Sequence, residues 1–493
     1  MHDIVAVVGA GTMGTGIAQV AAQAGHPVLL LDAAPGAADR AVSGIRERVK
    51  TLVARGKIDA DPDALDLTAV DTADALAPAR LVIEAIAEDL EVKRRLFADL
   101  ERVVTVDCVL ASNTSSLPPT ALAAGMEHPE RVIGLHFFNP VPRMRLVELV
   151  AGADTSAQVA DRTADLVTRW GKTVVRAAAT PGFIVNRIAR PYYAEAWRLH
   201  EERAAAPETI DAVLTGAGGF PMGPFALMDL IGHDVNEAVT RSVWTAFGHD
   251  PRFAPSPAQR ALVQAGRLGR KSEQGIYRYG SDSRPPVATA APRHPAPLEV
   301  VDHGAADLRT LLTRSRVAVP GVERDDGTIA LPGGALLIRS TGTTATELAA
   351  RHGTPVIVAD RTLDDATATA IAVAACESCP DDALAEAIGL LQAADLAVHV
   401  IDDTPGLIVT RTVAMLVNLA ADALQQGVAD APDIDTAMRL GAGHPLGPLA
   451  WGDRWGAATV HTALAALQDA YGDPRYRPSP LLRRRALSGK ALT

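Results

Sequence analysis

The sequence predicts an α/β domain built on a parallel sheet, then an all-α domain, then a weaker copy of the same pair. Short apolar runs alternate with helical stretches from residue 4 to residue 176, which is typical of strands covered on both faces. The segment TPGFIVNR at Thr180–Arg187 recurs as TPGLIVTR at Thr404–Arg411, displaced by 224 residues. We therefore expect two related halves that differ in how well each is preserved.

The first strand and turn are the most informative stretch of the chain. Ile4–Val8 is entirely apolar and is followed by Gly9, Gly11 and Gly14 at G-x-G-x-x-G spacing. A helical stretch and a second apolar strand over 27–31 come next. In this context the first glycine allows a tight turn, the second lets a pyrophosphate approach the backbone, and the third lets helix and strand pack closely. Residues 1–180 are therefore predicted as a Rossmann-type dinucleotide-binding domain.

The type of dinucleotide follows from the end of the second strand. Asp32 closes that strand and is placed to bind the ribose hydroxyls of NAD, and no arginine follows before Arg40. A 2′-phosphate would meet a carboxylate and no cation, so NAD is predicted over NADP. The helical stretch that follows, through Thr15 to Ala24, presents its N-terminus to the phosphates and favours them.

A histidine and a glutamate flank a proline-rich turn further along. Residues 131–138 and 145–150 read as two strands, and a turn between them brings His136 and Glu148 side by side. A carboxylate fixes the tautomer of its histidine partner, which suits a general base. Before them, a strand over 108–111 ends in small polar residues that include Asn113 and Ser115, where doubly wound sheets place ligands.

The remaining chain completes the domain organisation. A helix-rich region over 181–280 is followed by a linker rich in Pro, Ala and Ser over 281–305. Residues 306–403 have the outline of a Rossmann-like domain whose turn retains only Gly342, so we expect it to bind no nucleotide. Residues 404–493 are predicted as the second helical copy, since the motif at Pro255–Pro257 also recurs at Pro478–Pro480.

Composition excludes several classes of partner. The net charge is −11, which argues against nucleic acid and anionic membranes, and no apolar run reaches the length of a membrane span. Three cysteines in 493 residues favour a reducing compartment, so a cytoplasmic protein is expected. The cysteines and histidines show no zinc spacing, and we expect no metal. The basic stretch from Arg40 to Lys57 is either a solvated helix face or a dock for a phosphorylated ligand.

The motifs GAGTMG, VIEAIAEDLEVK, ASNTSSL, LHFFNPVPRMRLVELV, TPGFIVNR, GFPMGPF and GRKSEQGIYRY resemble those of the L-3-hydroxyacyl-CoA dehydrogenases of fatty-acid β-oxidation. The resemblance covers residues 1–280. The longer architecture, with a degenerate middle and TPGLIVTRTVAMLVN, is similar to the long 3-hydroxyadipyl-CoA and 3-hydroxybutyryl-CoA dehydrogenases of phenylacetate degradation. This implies NAD-dependent oxidation of a 3-hydroxyacyl-CoA, with the acyl chain left open.

The resemblance also assigns site residues. It implies a catalytic group made of His136, Glu148, Ser115 and Asn186. It implies cofactor contacts from Gly9, Gly11, Thr12, Met13, Gly14, Asp32, Glu88, Lys93, Asn113, Ser115 and Lys271. It implies CoA-substrate contacts from Arg48, Arg55, Ser115 and Asn139. One active site per chain is expected, because Thr410 replaces Asn186 in the second copy and no His–Glu hairpin precedes it.

Alternatives stay open at this point. The chain could oxidise a free 3-hydroxy acid or a sugar acid, or bind NAD without catalysis, although the complete set around His136 argues for an enzyme. Arg143 and Arg145 are either surface residues or cations that read the distal carboxylate of an adipyl chain. The helical copies form either the interface of a homodimer or a pseudo-dimer within one chain.

Overall fold

The computed structural model describes residues 3–58, 61–280, 283, 286–320 and 325–493. The chain forms two compact units that do not follow sequence order. The first unit runs to Arg187 and also contains Gln426–Ala442, and the second contains Ile188–Gln425 with Gly443–Thr493. A segment of the predicted second helical copy therefore belongs to the unit of the first sheet.

The first unit is built on an eight-stranded sheet. Its strands are β1 (Val5–Val8), β2 (Val28–Leu31), β3 (Leu67–Val70), β4 (Leu81–Glu84), β5 (Val109–Ser112), β6 (Val132–Phe137), β7 (Leu146–Ala151) and β8 (Thr173–Ala178). Their order is β3-β2-β1-β4-β5-β6-β7-β8, and every neighbouring pair is parallel except β6 with β7. The order in which the strands were added reverses between β1 and β4, and doubly wound folds bind their ligands at this switch point.

Helices cover both faces of this sheet. They are α1 (Thr12–Gln23), α2 (Ala37–Ala54), α3 (Leu90–Val103), α4 (Pro119–Leu122) and α5 (Ala157–Arg169), and α6 (Val185–Ile188) follows β8. Strand β1 is buried along its whole length, as its uninterrupted apolar sequence predicts. Ile17 of α1 and Ile45 of α2 lie in the core on one face, and Phe97 of α3 lies in the core on the other.

The second unit contains a six-stranded sheet and most of the remaining helices. Its strands are β9 (Val301–His303), β10 (Thr328–Ala330), β11 (Leu336–Arg339), β12 (Val356–Ala359), β13 (Ala370–Ala375) and β14 (Ala397–Val400), in the order β14-β13-β12-β11-β10-β9. Only β11 with β12 and β13 with β14 are parallel.

The helices from Arg190 onward are α7 (Arg190–Glu201), α8 (Pro207–Gly216), α9 (Pro224–Ile231), α10 (His233–Ala246), α11 (Pro257–Gln264), α12 (Arg309–Ser315), α13 (Ala345–His352), α14 (Asp381–Ala393), α15 (Val409–Gln425), α16 (Ala431–Gly441), α17 (Pro448–Trp455), α18 (Ala457–Tyr471) and α19 (Pro480–Ser488). Of these, α16 belongs to the first unit and the others to the second.

The two helical copies contact each other inside the second unit. Helix α7 of the first copy packs on α15 of the second. The buried Arg411 guanidinium lies 3.2 Å from Glu195 Oε2, and Phe220 and His444, which are 224 positions apart, meet edge to face with ring centroids 5.2 Å apart. The ring contact therefore joins equivalent positions of the two copies.

Each sheet is also covered by a helix from the other copy. In the first unit α16 packs on β7 and β8, and in the second unit α8 of the first copy packs on β13. Each helical copy thus supplies one helix that covers the sheet of the other half.

Some elements differ from the sequence-based expectation. Strands β3 and β10 were not predicted, because each is a short run whose apolar pattern is weak. Strand β9 falls inside the predicted linker, and the Ala291 N–H donates to the Val398 carbonyl at 2.7 Å, so part of that linker lies along the second sheet. Across the part of the chain that the structure describes, no helix has the length and apolar character needed to span a membrane.

Candidate active site

The glycine turn after β1 has the geometry that a pyrophosphate requires. Gly9 has φ +107°, and a Cβ added at Gly14 would lie 1.8 Å from the Gly9 carbonyl oxygen. A Cβ at Gly11 would meet no atom within 4 Å, so the space beside it is open to a ligand. Helix α1 begins at Thr12 without a side-chain cap, which leaves its first N–H groups for phosphate oxygens.

Asp32 is held against this turn. Its Oδ2 accepts from the Ala10 N–H at 2.6 Å and its Oδ1 accepts from the Ala34 N–H at 2.8 Å. Each carboxylate oxygen retains a second lone pair, so the group can still accept from two ribose hydroxyls. The turn, the uncapped helix and this carboxylate together fit NAD.

Glu88 organises the loop after β5. One of its oxygens accepts from the Thr114 hydroxyl at 2.6 Å, the Ser115 N–H at 3.1 Å and the Ser116 hydroxyl at 2.9 Å. Burial raises the pKa of the Glu88 carboxyl, whereas the Lys93 ammonium and the hydroxyls of Thr114 and Ser116 lower it. The lowering is the larger effect, so the pKa lies below its usual value. Glu88 is therefore ionised and fixes the backbone that carries Ser115.

Lys93 is buried beside two carboxylates. It is 1% exposed, and its Nζ lies 2.6 Å from Glu84 Oε1 and 3.1 Å from Glu88 Oε2. Lys93 bears on the site through Glu88, and its expected contact with the cofactor stays a prediction. Sequence position could not show this burial, since a lysine on a helix is exposed by default.

His136 and Glu148 form a buried pair. They stand opposite each other in the antiparallel register of β6 and β7, and His136 Nδ1 lies 2.6 Å from Glu148 Oε2. The other carboxylate oxygen accepts from the N–H groups of Ile184 at 3.0 Å and Val185 at 2.9 Å, at the start of α6. A carboxylate only accepts, so Nδ1 donates and Nε2 is left as the acceptor.

Aromatic rings and polar loops surround the histidine. The Phe138 ring lies 4.5 Å from the His136 ring and the Phe183 ring 5.9 Å from it, between centroids. Asn113 Oδ1 accepts from the N–H of Phe137, which ties the β5 loop to the strand of His136. Half-buried Asn186 follows Val185 in α6, next to the backbone that Glu148 holds. The structure therefore brings the loops of the four predicted catalytic residues to one edge of the first sheet.

A cavity of about 1080 Å³ lies over the glycine turn. Its lining includes the predicted Gly11, Thr12, Arg48 and Asn139, together with Lys57 and Arg143. Arg55 is exposed and is not among the lining residues, and its assignment to the CoA substrate stays a prediction. Lys57 belongs to the same basic run but was not assigned to the ligand from the sequence, and it lines the cavity.

Lys172 supports the turn between β6 and β7 and was missed by the sequence analysis. Its ammonium donates to the carbonyls of Val141 at 2.5 Å and Met144 at 2.8 Å, and burial lowers its pKa to about 8. The turn that it holds lines the cavity. A single lysine before a strand carries no signal of this role.

Lys271 lies in the second unit. Its Nζ contacts Asp234 Oδ1 at 2.6 Å, at the start of α10. Its expected contact with the cofactor stays a prediction.

The second half of the chain has no counterpart of the His136–Glu148 pair at the equivalent positions. Asp360 and Ala372 stand 224 positions after His136 and Glu148. The buried Asp360 accepts from the N–H groups of Ile408, Val409 and Thr410 and from the Thr410 hydroxyl, at 2.6–3.0 Å. Burial raises the pKa of this carboxyl group, and its hydrogen bonds hold the helix start as those of Glu148 do. No histidine stands at this position. Among the described residues, no group of three or more His, Cys, Asp or Glu could hold a metal ion.

Three family models match the chain. The NAD-binding domain of 3-hydroxyacyl-CoA dehydrogenase matches residues 4–180, and its C-terminal domain matches residues 182–279 and again 406–492. The reduced Rossmann-fold domain of 3-hydroxybutyryl-CoA dehydrogenase matches residues 337–405.

Individual relatives agree with this pattern. The chain is 48% identical over 486 residues to the 3-hydroxyadipyl-CoA dehydrogenase of Escherichia coli K12, covering 98% of this chain and 97% of that protein. The mitochondrial hydroxyacyl-coenzyme A dehydrogenase of Rattus norvegicus is 40% identical over 285 residues, covering 56% of this chain and 90% of the relative. A crystal structure of 3-hydroxybutyryl-CoA dehydrogenase from Escherichia coli K12 superposes with a TM-score of 0.91 at 46% identity, and the match covers 99% of both chains.

Proposed function

The chain belongs to the 3-hydroxyacyl-CoA dehydrogenase family, and from this premise we propose how its residues perform the NAD-dependent oxidation of a 3-hydroxyacyl-CoA. The product is the 3-oxoacyl-CoA, and bound NAD supplies the hydride acceptor. The observation that carries the assignment of roles is the buried His136–Glu148 hydrogen bond of 2.6 Å.

His136 is the general base. Its Nε2 accepts the proton of the substrate 3-hydroxyl as the C3 hydride leaves, and its Nδ1–H stays bound to Glu148. The carboxylate stabilises the imidazolium that forms, and its two backbone hydrogen bonds stop it from turning away. General-base action of this kind contributes roughly 10²–10⁴ in rate.

Ser115 and Asn186 orient the substrate oxygens. Glu88 fixes the backbone of Ser115, and Glu148 holds the N–H of the residue before Asn186. Both side chains are thus carried by backbone that is anchored to a carboxylate, which supports a positioning role for each.

The test of this assignment is His136→Gln. We expect kcat to fall by at least about 10², with NAD affinity within twofold of the wild type, because the cofactor contacts lie in other loops. His128→Gln, at an exposed histidine beside Glu130, is the matched control. A folded His136→Gln protein with near-wild-type kcat would exclude this base.

For the acyl chain we propose 3-hydroxyadipyl-CoA over 3-hydroxybutyryl-CoA. Arg143 lines the cavity and offers a cation to a distal carboxylate, whereas Arg145 is not among the lining residues. We expect kcat/KM to favour the adipyl substrate by tenfold or more, about 1.4 kcal/mol of transition-state binding. Arg143→Ala should remove that preference and Arg145→Ala should keep it. A wild-type preference for the butyryl substrate would contradict the proposal.

The duplicated helical domain forms a pseudo-dimer within one chain. The Arg411–Glu195 ion pair and the Phe220–His444 contact support it, as does the 3.0 Å bond from Arg198 Nη1 to Asp473 Oδ2. In an Arg198→Lys variant, a zero-length carbodiimide cross-link should join position 198 to Asp473. When labelled (¹⁵N) and unlabelled chains are refolded together, the cross-linked peptides should contain no mixed pairs. Mixed pairs would show association between chains instead.

The compartment of this reaction is reducing, and we propose the cytoplasm. The three cysteines, Cys108, Cys376 and Cys379, are all free thiols, which supports this assignment.

A further inference from the structure

Helix α16 comes from the second helical copy but is anchored to the first sheet. The Ala178 N–H donates to the Val428 carbonyl at 2.7 Å, and the Arg176 N–H donates to Asp433 Oδ2 at 2.8 Å. Arg187 Nη2 donates to Gln426 Oε1 at 2.7 Å. These bonds fix the start of the segment along β8, and its last turn then reaches the strand that carries Glu148.

The last residue of α16 is Gly441, and it lies so close to side chains of the first unit that a Cβ would crowd them. A Cβ added at Gly441 would lie 2.6 Å from Leu146 Cδ2, 2.9 Å from Val185 Cγ2 and 3.5 Å from Phe138 Cε1. Alanine is a better helix former than glycine, so helix propensity does not explain a glycine here. The close approach does.

Each of the three side chains that a Cβ at Gly441 would meet is joined to the catalytic pair. Phe138 packs on the His136 ring, with centroids 4.5 Å apart. Val185 donates its N–H to Glu148 Oε1 at 2.9 Å. Leu146 lies two residues before Glu148 in β7, on the same face of the strand.

We propose that Gly441 is a positioning residue of the active site, through which the second helical copy sets the geometry of the His136–Glu148 pair. The inference rests on the proposed roles of those two residues. It gives the C-terminal half of the chain a part in the reaction even though Asp360 and Ala372 stand there in place of His136 and Glu148.

The chain contains a matched control for this inference. Gly216 ends α8, and a Cβ there would lie 2.6 Å from Ala370 Cβ on β13. Ala370 stands 224 positions after Leu146. Gly216 thus makes the same kind of contact against the sheet in which Asp360 and Ala372 replace the catalytic pair.

The experiment compares Gly441→Ala with Gly216→Ala in the full chain. Both should lower the melting temperature, because both crowd a buried contact. Only Gly441→Ala should lower kcat, by tenfold or more, with the KM for NAD within twofold. The low-field proton signal of the His136–Glu148 hydrogen bond, identified by its loss in His136→Gln, should shift only in Gly441→Ala.

Two further results decide the interpretation. If Gly441→Ala does not fold, Gly441→Ala combined with Leu146→Val makes room for the methyl group and should restore folding with a reduced kcat. Equal kcat values for Gly441→Ala and Gly216→Ala, with the proton signal unmoved, would overturn the inference. Retained activity in His136→Gln would instead overturn the proposed base, so the two failures are distinguishable.

Discussion

Replacing Glu148 with glutamine keeps the shape of the side chain and removes its negative charge. The carboxylate makes bonds on two sides: Oε2 to His136 Nδ1 at 2.6 Å, and Oε1 to the N–H groups of Ile184 and Val185. Glutamine has one accepting oxygen and one donating NH₂ group, so it cannot accept hydrogen bonds on both sides as the carboxylate does.

The structure indicates which side retains the accepting oxygen. An NH₂ group facing Ile184 and Val185 would leave two buried backbone donors without acceptors, at about 1–3 kcal/mol each. An NH₂ group facing His136 instead forces Nδ1 to accept and moves the ring proton to Nε2. This second arrangement retains more hydrogen bonds, and we expect it to prevail.

The consequence for catalysis is a loss of the base. A histidine protonated on Nε2 cannot accept the proton of the substrate hydroxyl, so kcat should fall by roughly 10²–10⁴. The affinity for NAD should change by less than twofold. The measurements are initial rates of NADH formation at saturating substrate and a fluorescence titration with NADH.

Glu130→Gln is the control for charge removal, since Glu130 is half exposed beside His128. A folded Glu148→Gln protein with kcat within threefold of the wild type would refute the argument, because it would show that the carboxylate does not set the tautomer.

Three further predictions follow from the cofactor turn, the cavity and the helical copies. Asp32→Ala should raise the KM for NAD by roughly ten- to a hundredfold, since a hydrogen bond to a charged group contributes about 1.5–3 kcal/mol; an unchanged KM in initial-rate assays would contradict the ribose contact. Lys57→Ala should raise the KM for the acyl-CoA about tenfold. Arg55→Ala, outside the cavity, should leave this KM within twofold of the wild type. A larger rise in KM for Arg55→Ala than for Lys57→Ala would favour Arg55, the residue assigned from the sequence. Burial lowers the pKa of His444 to about 3, so the unfolded chain binds a proton below its usual pKa of about 6.5 and the folded chain does not. Stability should therefore fall as the pH drops from 7 to 5, by ~2 kcal/mol from this group. His444→Phe, which copies Phe220, should reduce that fall in urea unfolding curves, and an unchanged pH dependence would show that His444 is not neutral when folded.

Each helical copy covers a sheet of the other half of the chain. Helix α8 covers the second sheet and α16 covers the first. Asp360 retains the hydrogen bonds to the helix start that Glu148 makes in the first half. The second half thus keeps a carboxylate that holds the helix start but has no histidine at the position equivalent to His136.

The features that depend on neighbouring residues could be predicted from local sequence patterns. The glycine turn, the buried strand before it and Asp32 follow from local patterns, because backbone conformation and strand burial are set over a few residues. The pairing of His136 with Glu148 could also be predicted from the sequence, since the turn of an antiparallel hairpin fixes the register of its two strands. The family resemblance then supplied the roles.

The remaining features required the three-dimensional structure. It showed that Lys93 is buried between two carboxylates, that Lys57 rather than Arg55 faces the cavity, and that α16 joins the first sheet. The contact of α16 spans 257 positions between Arg176 and Asp433. The physical reason is that an apolar stripe shows which face of an element must be covered, whereas the element that covers it is selected by packing across the whole fold.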